Sequence, residues 1–251
     1  MNIINPLKIS GSEIPEKVPT SVGIRFDQIA ALHSRHGITA WLIFLLVALL
    51  TLPSFAYAAN ATKNVLVLGD SLSAGYGMPV EKGWVNLLQL ELQRTHSKYI
   101  MVNASISGET TIGGLRRLNK LLKQHRPVIV VVELGANDGL RGYSIQSIEA
   151  NLAEIIKQSK QAQATVLLVG IKLPPNYGEP YTTQFQNIYT HLAEKYRVNL
   201  LPFLLEGVPP EQFLPDNLHP SAEAQPLIMR TVMRAIKLLP NQRSEIPFGA
   251  E

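Results

Sequence analysis

Three short runs constrain this chain more than anything else in it. Residues 65–68 (VLVL), 128–134 (VIVVVEL) and 165–171 (TVLLVGI) are almost wholly apolar and rich in β-branched side chains. Runs this short and this apolar are strands buried on both faces, the pattern of a parallel sheet rather than of a half-solvated antiparallel one. Shorter runs at 100–103 and 198–201 read as two further strands.

The segments between them have a different period. Ile112, Leu115, Leu118, Leu121 and Leu122 recur at helical spacing within 111–124, as do Ile148, Leu152, Ile155 and Ile156 within 145–159. Segments 84–95 and 181–196 share that pattern, and 221–239 closes the series, with Ser221 a plausible N-cap. Strands alternating with helices predict an α/β fold, a three-layer α/β/α sandwich around a five-stranded parallel sheet. Right-handed crossovers fix the sense of winding, and the expected strand order is the flavodoxin-like 2-1-3-4-5. Residues 202–220, with five prolines, break the alternation and predict an irregular segment.

The first 58 residues do not share this pattern. Residues 38–52 (ITAWLIFLLVALLTL) are nearly pure apolar sequence, preceded by Arg35 and His36 and followed by Ala56-Tyr57-Ala58. That is the order of a secretory signal with its small-residue cleavage site. The run is short of the roughly 20 residues that a membrane span needs. The expected organisation is an unstructured leader or mis-assigned start over 1–36, with translation beginning nearer Leu32. A signal peptide or membrane anchor then covers 37–58, a single domain 59–240, and a flexible tail 241–251.

Charge and cysteine exclude several classes. The formal charge is +4, and the chain has no cysteine. There is therefore no disulfide frame, thiolate nucleophile or thiolate metal site. Arg116, Arg117, Lys120 and Lys123 form the densest basic cluster, at the spacing of a solvated helix face rather than a nucleic-acid stripe. Gly75-Tyr76-Gly77 lacks the third glycine of a dinucleotide fingerprint, and no P-loop lysine follows.

In a parallel sheet the loops after the strands open on one edge, where ligands and reactive groups collect. The first strand runs into Gly69-Asp70-Ser71-Leu72, where Gly69 is read as permitting a sharp turn. The second runs into Asn103-Ala104-Ser105-Ile106-Ser107-Gly108-Glu109, and the third into Gly135-Ala136-Asn137-Asp138. Asp216-Asn217-Leu218-His219-Pro220 precedes the last helix. Each of these is also good turn sequence. Turn chemistry alone does not explain a hydroxyl, a glycine amide, a carboxamide and an Asp-x-x-His on one edge.

Acyl hydrolysis needs such a set. Ser71 would be the nucleophile, His219 the base that takes its proton, and Asp216 the acceptor that fixes the imidazole tautomer. The backbone N–H groups of Ser71 and Gly108 and the Asn137 amide would receive the negative charge that builds on the carbonyl oxygen. Asp216 and His219 could instead be two metal ligands, but no further His or carboxylate cluster stands beside them. Glu109 and Asp138 read as supporting or solvated groups. His96, His125 and His191 lack a comparable setting. The G-x-S-x-G elbow of α/β-hydrolases is absent, because Ser73 stands at the second glycine.

The four blocks together resemble the SGNH (GDSL-type) hydrolase family, and most closely its bacterial periplasmic thioesterase/arylesterase/lysophospholipase subgroup. The matching residues are Gly69-Asp70-Ser71-Leu72, Gly108, Gly135-x-Asn137-Asp138 and Asp216-x-x-His219-Pro220. GDSLSAGYG, NASISGETT, NDGLRG, LPPNYG and DNLHP extend the likeness over roughly 63–240. The resemblance implies the triad and oxyanion donors just named, no cofactor and no metal. It also implies a loose specificity for aryl esters, acyl thioesters and lysophospholipids, the last entailing transient membrane-surface contact. Asp70, Leu72, Asp138, Leu140, Arg141 and Pro220 become candidates for touching substrate, and residues 138–143 match a loop that in relatives responds to the bound acyl chain. Ala136 stands where relatives often carry a second glycine, and would stiffen that loop. Two other expectations stay open: a carbohydrate acetylesterase with a smaller acyl pocket, and an exported non-catalytic module that binds a small anion.

Overall fold

A computed structural model of the protein describes residues 62–239. The leader, the signal segment and the tail expected from sequence lie outside these residues. Five strands form one sheet: β1 (Lys63–Gly69), β2 (Tyr99–Asn103), β3 (Ile129–Glu133), β4 (Thr165–Val169) and β5 (Asn199–Leu201). All neighbours are parallel and the order is β2-β1-β3-β4-β5. The three apolar runs are the three central strands, and every residue of β3 is buried.

The helices are α1 (Ser71–Ala74), α2 (Trp84–Arg94), α3 (Thr111–His125), α4 (Ala136–Leu140), α5 (Ile145–Gln161), α6 (Glu179–Tyr196) and α7 (Gln225–Lys237). α2 packs on α7, and α3 packs on α5, which packs on α6. These two groups are the outer layers of the sandwich. Leu118, Leu152, Ile156, Leu192 and Ile228 point inward from them and are fully shielded from solvent. Each such side chain contributes roughly 1.5–3 kcal/mol through burial. Among the described residues no helix is long and apolar enough to cross a membrane.

Three elements differ from the sequence expectation, each for a local reason. The last helix begins at Gln225, not Ser221. Residues 212–221 instead fold into a small hairpin: Leu214 N–H donates to the His219 carbonyl, Ser221 N–H donates to the Gln212 carbonyl, and Phe213 bridges Pro220. The Ser221 hydroxyl donates to Glu223 rather than capping a helix. The other two differences are α1 and α4, short helical turns where sequence suggested plain loops. Asp70 caps α1 by accepting from Leu72 N–H at 3.0 Å.

Gly69 is glycine for want of space, not for a left-handed turn. It ends β1 in register with Glu133, and a Cβ there would lie 2.8–2.9 Å from Glu133 Oε2, Ser105 Oγ and Ser73 Cβ. Gly135 does need its freedom. Its φ is +121°, and a Cβ would meet the Tyr189 hydroxyl at 2.4 Å.

Candidate active site

Ser71 is the first residue of α1, presented at the C-terminal edge of β1. Its Oγ lies 2.8 Å from His219 Nε2, although the two residues are 148 positions apart. His219 Nδ1 lies 2.7 Å from Asp216 Oδ2. Asp216 Oδ1 accepts from the backbone N–H groups of Leu218 at 2.9 Å and His219 at 3.0 Å. Burial would raise the Asp216 pKa, but those two backbone bonds, with the imidazole bond and charge, outweigh it and bring it to about 2. Asp216 is therefore an anion that only accepts. It takes Nδ1–H, and Nε2 is left as the acceptor for the Ser71 hydroxyl.

The loop bearing these two residues is pinned on both sides. The hairpin closes it from below, and Asn217 turns it with a left-handed φ of 56°. Buried Gln225 accepts from Trp84 N–H at 3.0 Å and donates to the Ser221 carbonyl at 3.3 Å, tying the hairpin to the start of α2. The Tyr76 ring covers His219, with centroids 4.3 Å apart.

Ser71, Asn137 and His219 open on a narrow cavity of about 90 Å³, walled by Leu72, Leu140, Ile171, Leu173, Pro174 and Leu218. A larger hollow of about 810 Å³ lies elsewhere, between the C-terminal ends of α3 and α5, and includes none of the four blocks. Gly108 is exposed and does not wall the narrow cavity. Its carbonyl accepts from Arg141 at 3.1 Å, so Arg141 braces the glycine loop instead of facing the cavity. Of the other expected substrate contacts, Leu72 and Leu140 do line the cavity, whereas Asp70, Asp138 and Pro220 are buried. Asp138 accepts from Thr111 N–H at 2.9 Å and from its hydroxyl at 2.5 Å, joining α4 to α3. Burial raises its pKa, against those bonds.

Several residues escape a reading from sequence. Asp70 Oδ2 accepts from Asn137 Nδ2 at 3.2 Å. Glu133 Oε2 accepts from the Ser73 hydroxyl at 2.7 Å and from Asp70 N–H at 3.3 Å. Burial pushes Asp70 up to about 6, and it pushes Glu133 well above the carboxylate range, helped by the neighbouring Asp70 charge. A lone carboxyl inside the apolar run 128–134 was the available signal for Glu133. Tyr76 and Gln225 gave none, since their roles depend on packing between distant segments. His191 does have a carboxylate partner, Glu149 Oε1 at 2.8 Å, but the pair lies on the exposed side of α5 and α6. Among the described residues no third metal-ligating side chain joins Asp216 and His219.

A serine on a helical turn at a strand end, backed by a histidine and a carboxylate from a late loop, defines a class of ester-cleaving α/β proteins. The chain belongs to the GDSL-like lipase/acylhydrolase family, whose sequence profile matches residues 67–226. It is 48% identical to an arylesterase of Vibrio mimicus over 71% of this chain and 90% of that protein. It is 45% identical to the thioesterase 1/protease 1/lysophospholipase L1 of Escherichia coli, over 80% of this chain and 94% of that one. The crystal structure of the psychrotrophic esterase EstA from Pseudoalteromonas, inhibited by monoethylphosphonate, superposes with a TM-score of 0.68. It shares 42% identity, covering 70% of this chain and 97% of that one.

Proposed function

We propose that the protein is a serine acyl-hydrolase that cleaves carboxylic esters and thioesters through an acyl-enzyme on Ser71. The observation that carries this reading is the unbroken relay Asp216–His219–Ser71, with links of 2.7 and 2.8 Å, the second joining residues 148 positions apart. A structural histidine would not need a serine hydroxyl on one nitrogen and a carboxylate on the other.

The steps follow from the donors and acceptors. The acyl carbonyl carbon sits over Ser71 Oγ with the acyl chain against Leu72 and Leu140. Oγ attacks while its proton passes to His219 Nε2, and Asp216 stabilises the imidazolium. The carbonyl oxygen becomes an anion received by the N–H groups of Ser71 and Gly108 and by Asn137 Nδ2. One such donor is typically worth about 3–4 kcal/mol. The C–O or C–S bond then breaks, and His219 returns the proton to the leaving alcohol or thiol. Water, deprotonated by His219, repeats the attack on the acyl-enzyme, and Ser71 leaves as a hydroxyl.

Aryl esters, acyl thioesters and lysolipids are the proposed substrates, met by the exported form of the chain, with transient contact at a lipid surface for the last. The names of the Vibrio mimicus and Escherichia coli relatives support the ester and thioester classes. A second reading, deacetylation of an acetylated carbohydrate, is favoured by the small cavity. About 90 Å³ is well below the roughly 300–1,000 Å³ of pockets that engulf a larger ligand. Longer acyl chains must lie partly along the surface beyond Leu140.

Two measurements test the proposal on residues 59–251. A fluorophosphonate probe should label wild type and leave Ser71→Ala unlabelled. A folded wild type without labelling would leave the anion-binding module standing. Hydrolysis of a nitrophenyl ester series should persist well beyond acetate, and a sharp preference for acetate would select the second reading.

A further inference from the structure

Two carboxyl groups, Asp70 and Glu133, lie under the site with no solvent exposure at all. No Lys or Arg forms an ion pair with either among the described residues. Two neighbouring anions without a cation cannot both persist in a dry interior, so the pair must hold a proton.

The hydrogen bonds decide which carboxyl holds it. Asp70 accepts from Leu72 N–H through Oδ1 and from Asn137 Nδ2 through Oδ2, and the positive charge that His219 can take up acts on it in the same sense. All three favour an anion. Glu133 accepts through Oε2 only, and its Oε1 is buried with no hydrogen-bond partner. The other groups around it are Ser73 on α1 and the Tyr189 hydroxyl on α6, which donates to the Leu134 carbonyl at 3.0 Å. A bare buried oxygen is the costly place for charge. The proton therefore resides on Glu133.

We propose that Asp70, held as the single anion of this pair by a proton on Glu133, is a positioning residue that selects the orientation of the Asn137 amide. The inference rests on the proposed acyl-hydrolase reading. An ionised carboxylate only accepts, so it can bond to the NH₂ end of Asn137 and never to its oxygen. One N–H is thereby committed to Asp70 at 3.2 Å, and the second is left to face the oxyanion. Were the group at 70 also a donor, the amide could turn over and present Oδ1 to a developing negative charge. The same carboxylate caps α1, so one anion orients the carboxamide donor and secures the turn that carries the nucleophile.

The test is a double-mutant cycle of Asp70→Asn and Asn137→Ala, with hydrolysis of a nitrophenyl ester as readout. Asparagine keeps an oxygen for the Leu72 N–H but adds donors, so the amide at 137 is free to flip. Asp70→Asn should lower kcat by at least about tenfold with little change in KM, because a transition-state donor is lost. In the Asn137→Ala background it should cost less than about threefold. Equal losses in both backgrounds would overturn the inference, since a purely structural role acts regardless of residue 137. A second measurement needs no variant. With glutamate isotopically labelled, wild type at about pH 8 should show the infrared carbonyl stretch of one protonated glutamic acid, and its absence would also overturn the inference. Probe labelling of Ser71 in wild type separates the failures. Without labelling the acyl-hydrolase reading falls, whereas a labelled, active enzyme with an additive cycle sinks only the role of Asp70.

Discussion

Replacing Asp216 by asparagine removes one charge and almost no shape, so its effect can be worked from the contacts. The amide oxygen keeps the place of Oδ1 and still accepts from the Leu218 and His219 N–H groups, so the loop holds. The NH₂ group then takes the place of Oδ2, 2.7 Å from His219 Nδ1. Two donors cannot face each other, so the imidazole shifts its proton to Nε2. That nitrogen now points a proton at Ser71 Oγ, 2.8 Å away, and cannot accept one. A wrong tautomer of this kind costs on the order of 10⁴ in kcat in serine hydrolases with the same relay. The Asp216 side chain is 37% exposed, so water can hydrate the productive minor tautomer and soften the loss. We expect a fall of about 10³, roughly 4 kcal/mol of barrier. A partly exposed ion pair is worth about 1 kcal/mol or less to folding, so the melting temperature should drop by no more than about 4 °C. Nitrophenyl butyrate hydrolysis followed against pH, beside a thermal melt, checks both. A loss of less than about tenfold in a folded variant would refute the tautomer argument.

Other outcomes follow from the same contacts. Gly69→Ala places a methyl against three fixed neighbours and should cost roughly 1–3 kcal/mol of stability, read from denaturant unfolding. The folded Asp70 and Glu133 bind protons more tightly than the unfolded chain does. Their stabilising contribution is complete below about pH 4 and fades as pH rises through about 6 and above. The denaturation midpoint should therefore be higher at pH 5 than at pH 8, and Glu133→Gln should flatten that slope. Asp216 works in the opposite sense, its contribution lapsing as pH falls from about 4 towards 2. Leu140→Ala opens one wall of the cavity and should shift the best nitrophenyl ester towards longer acyl chains; an unmoved optimum would place the acyl group elsewhere.

What could be read from sequence, and what could not, divides along physical lines. Runs 65–68, 128–134 and 165–171 had no polar face, so a buried parallel sheet was legible from them, whereas the strand order, though matched by the structure, rests on contacts that the runs do not encode. The meeting of Ser71, His219 and Asp216 was legible because their chemistry is specific and the sequence sets each just after a strand or before a helix. Short helical turns such as 71–74 and 136–140 were not legible, since they carry no periodicity. Nor was the late start of α7, because the 212–221 hairpin that displaces it depends on the pairing of Phe213 with Pro220 and on a left-handed Asn217. Asp70, taken as a substrate contact, is instead enclosed beside Glu133, whose carboxyl accepts from Ser73 and from the Asp70 N–H.

The hairpin has a consequence for when the molecule acquires its chemistry. Ser71 lies just after the first strand, and the imidazole belongs to a segment 148 positions further on that Gln225 holds in place. A ribosome stalled at 210 carries the hydroxyl without its proton acceptor. Reactivity is thus withheld until the segment around Gln225 has been made, with no separate inhibitor needed to silence the growing chain.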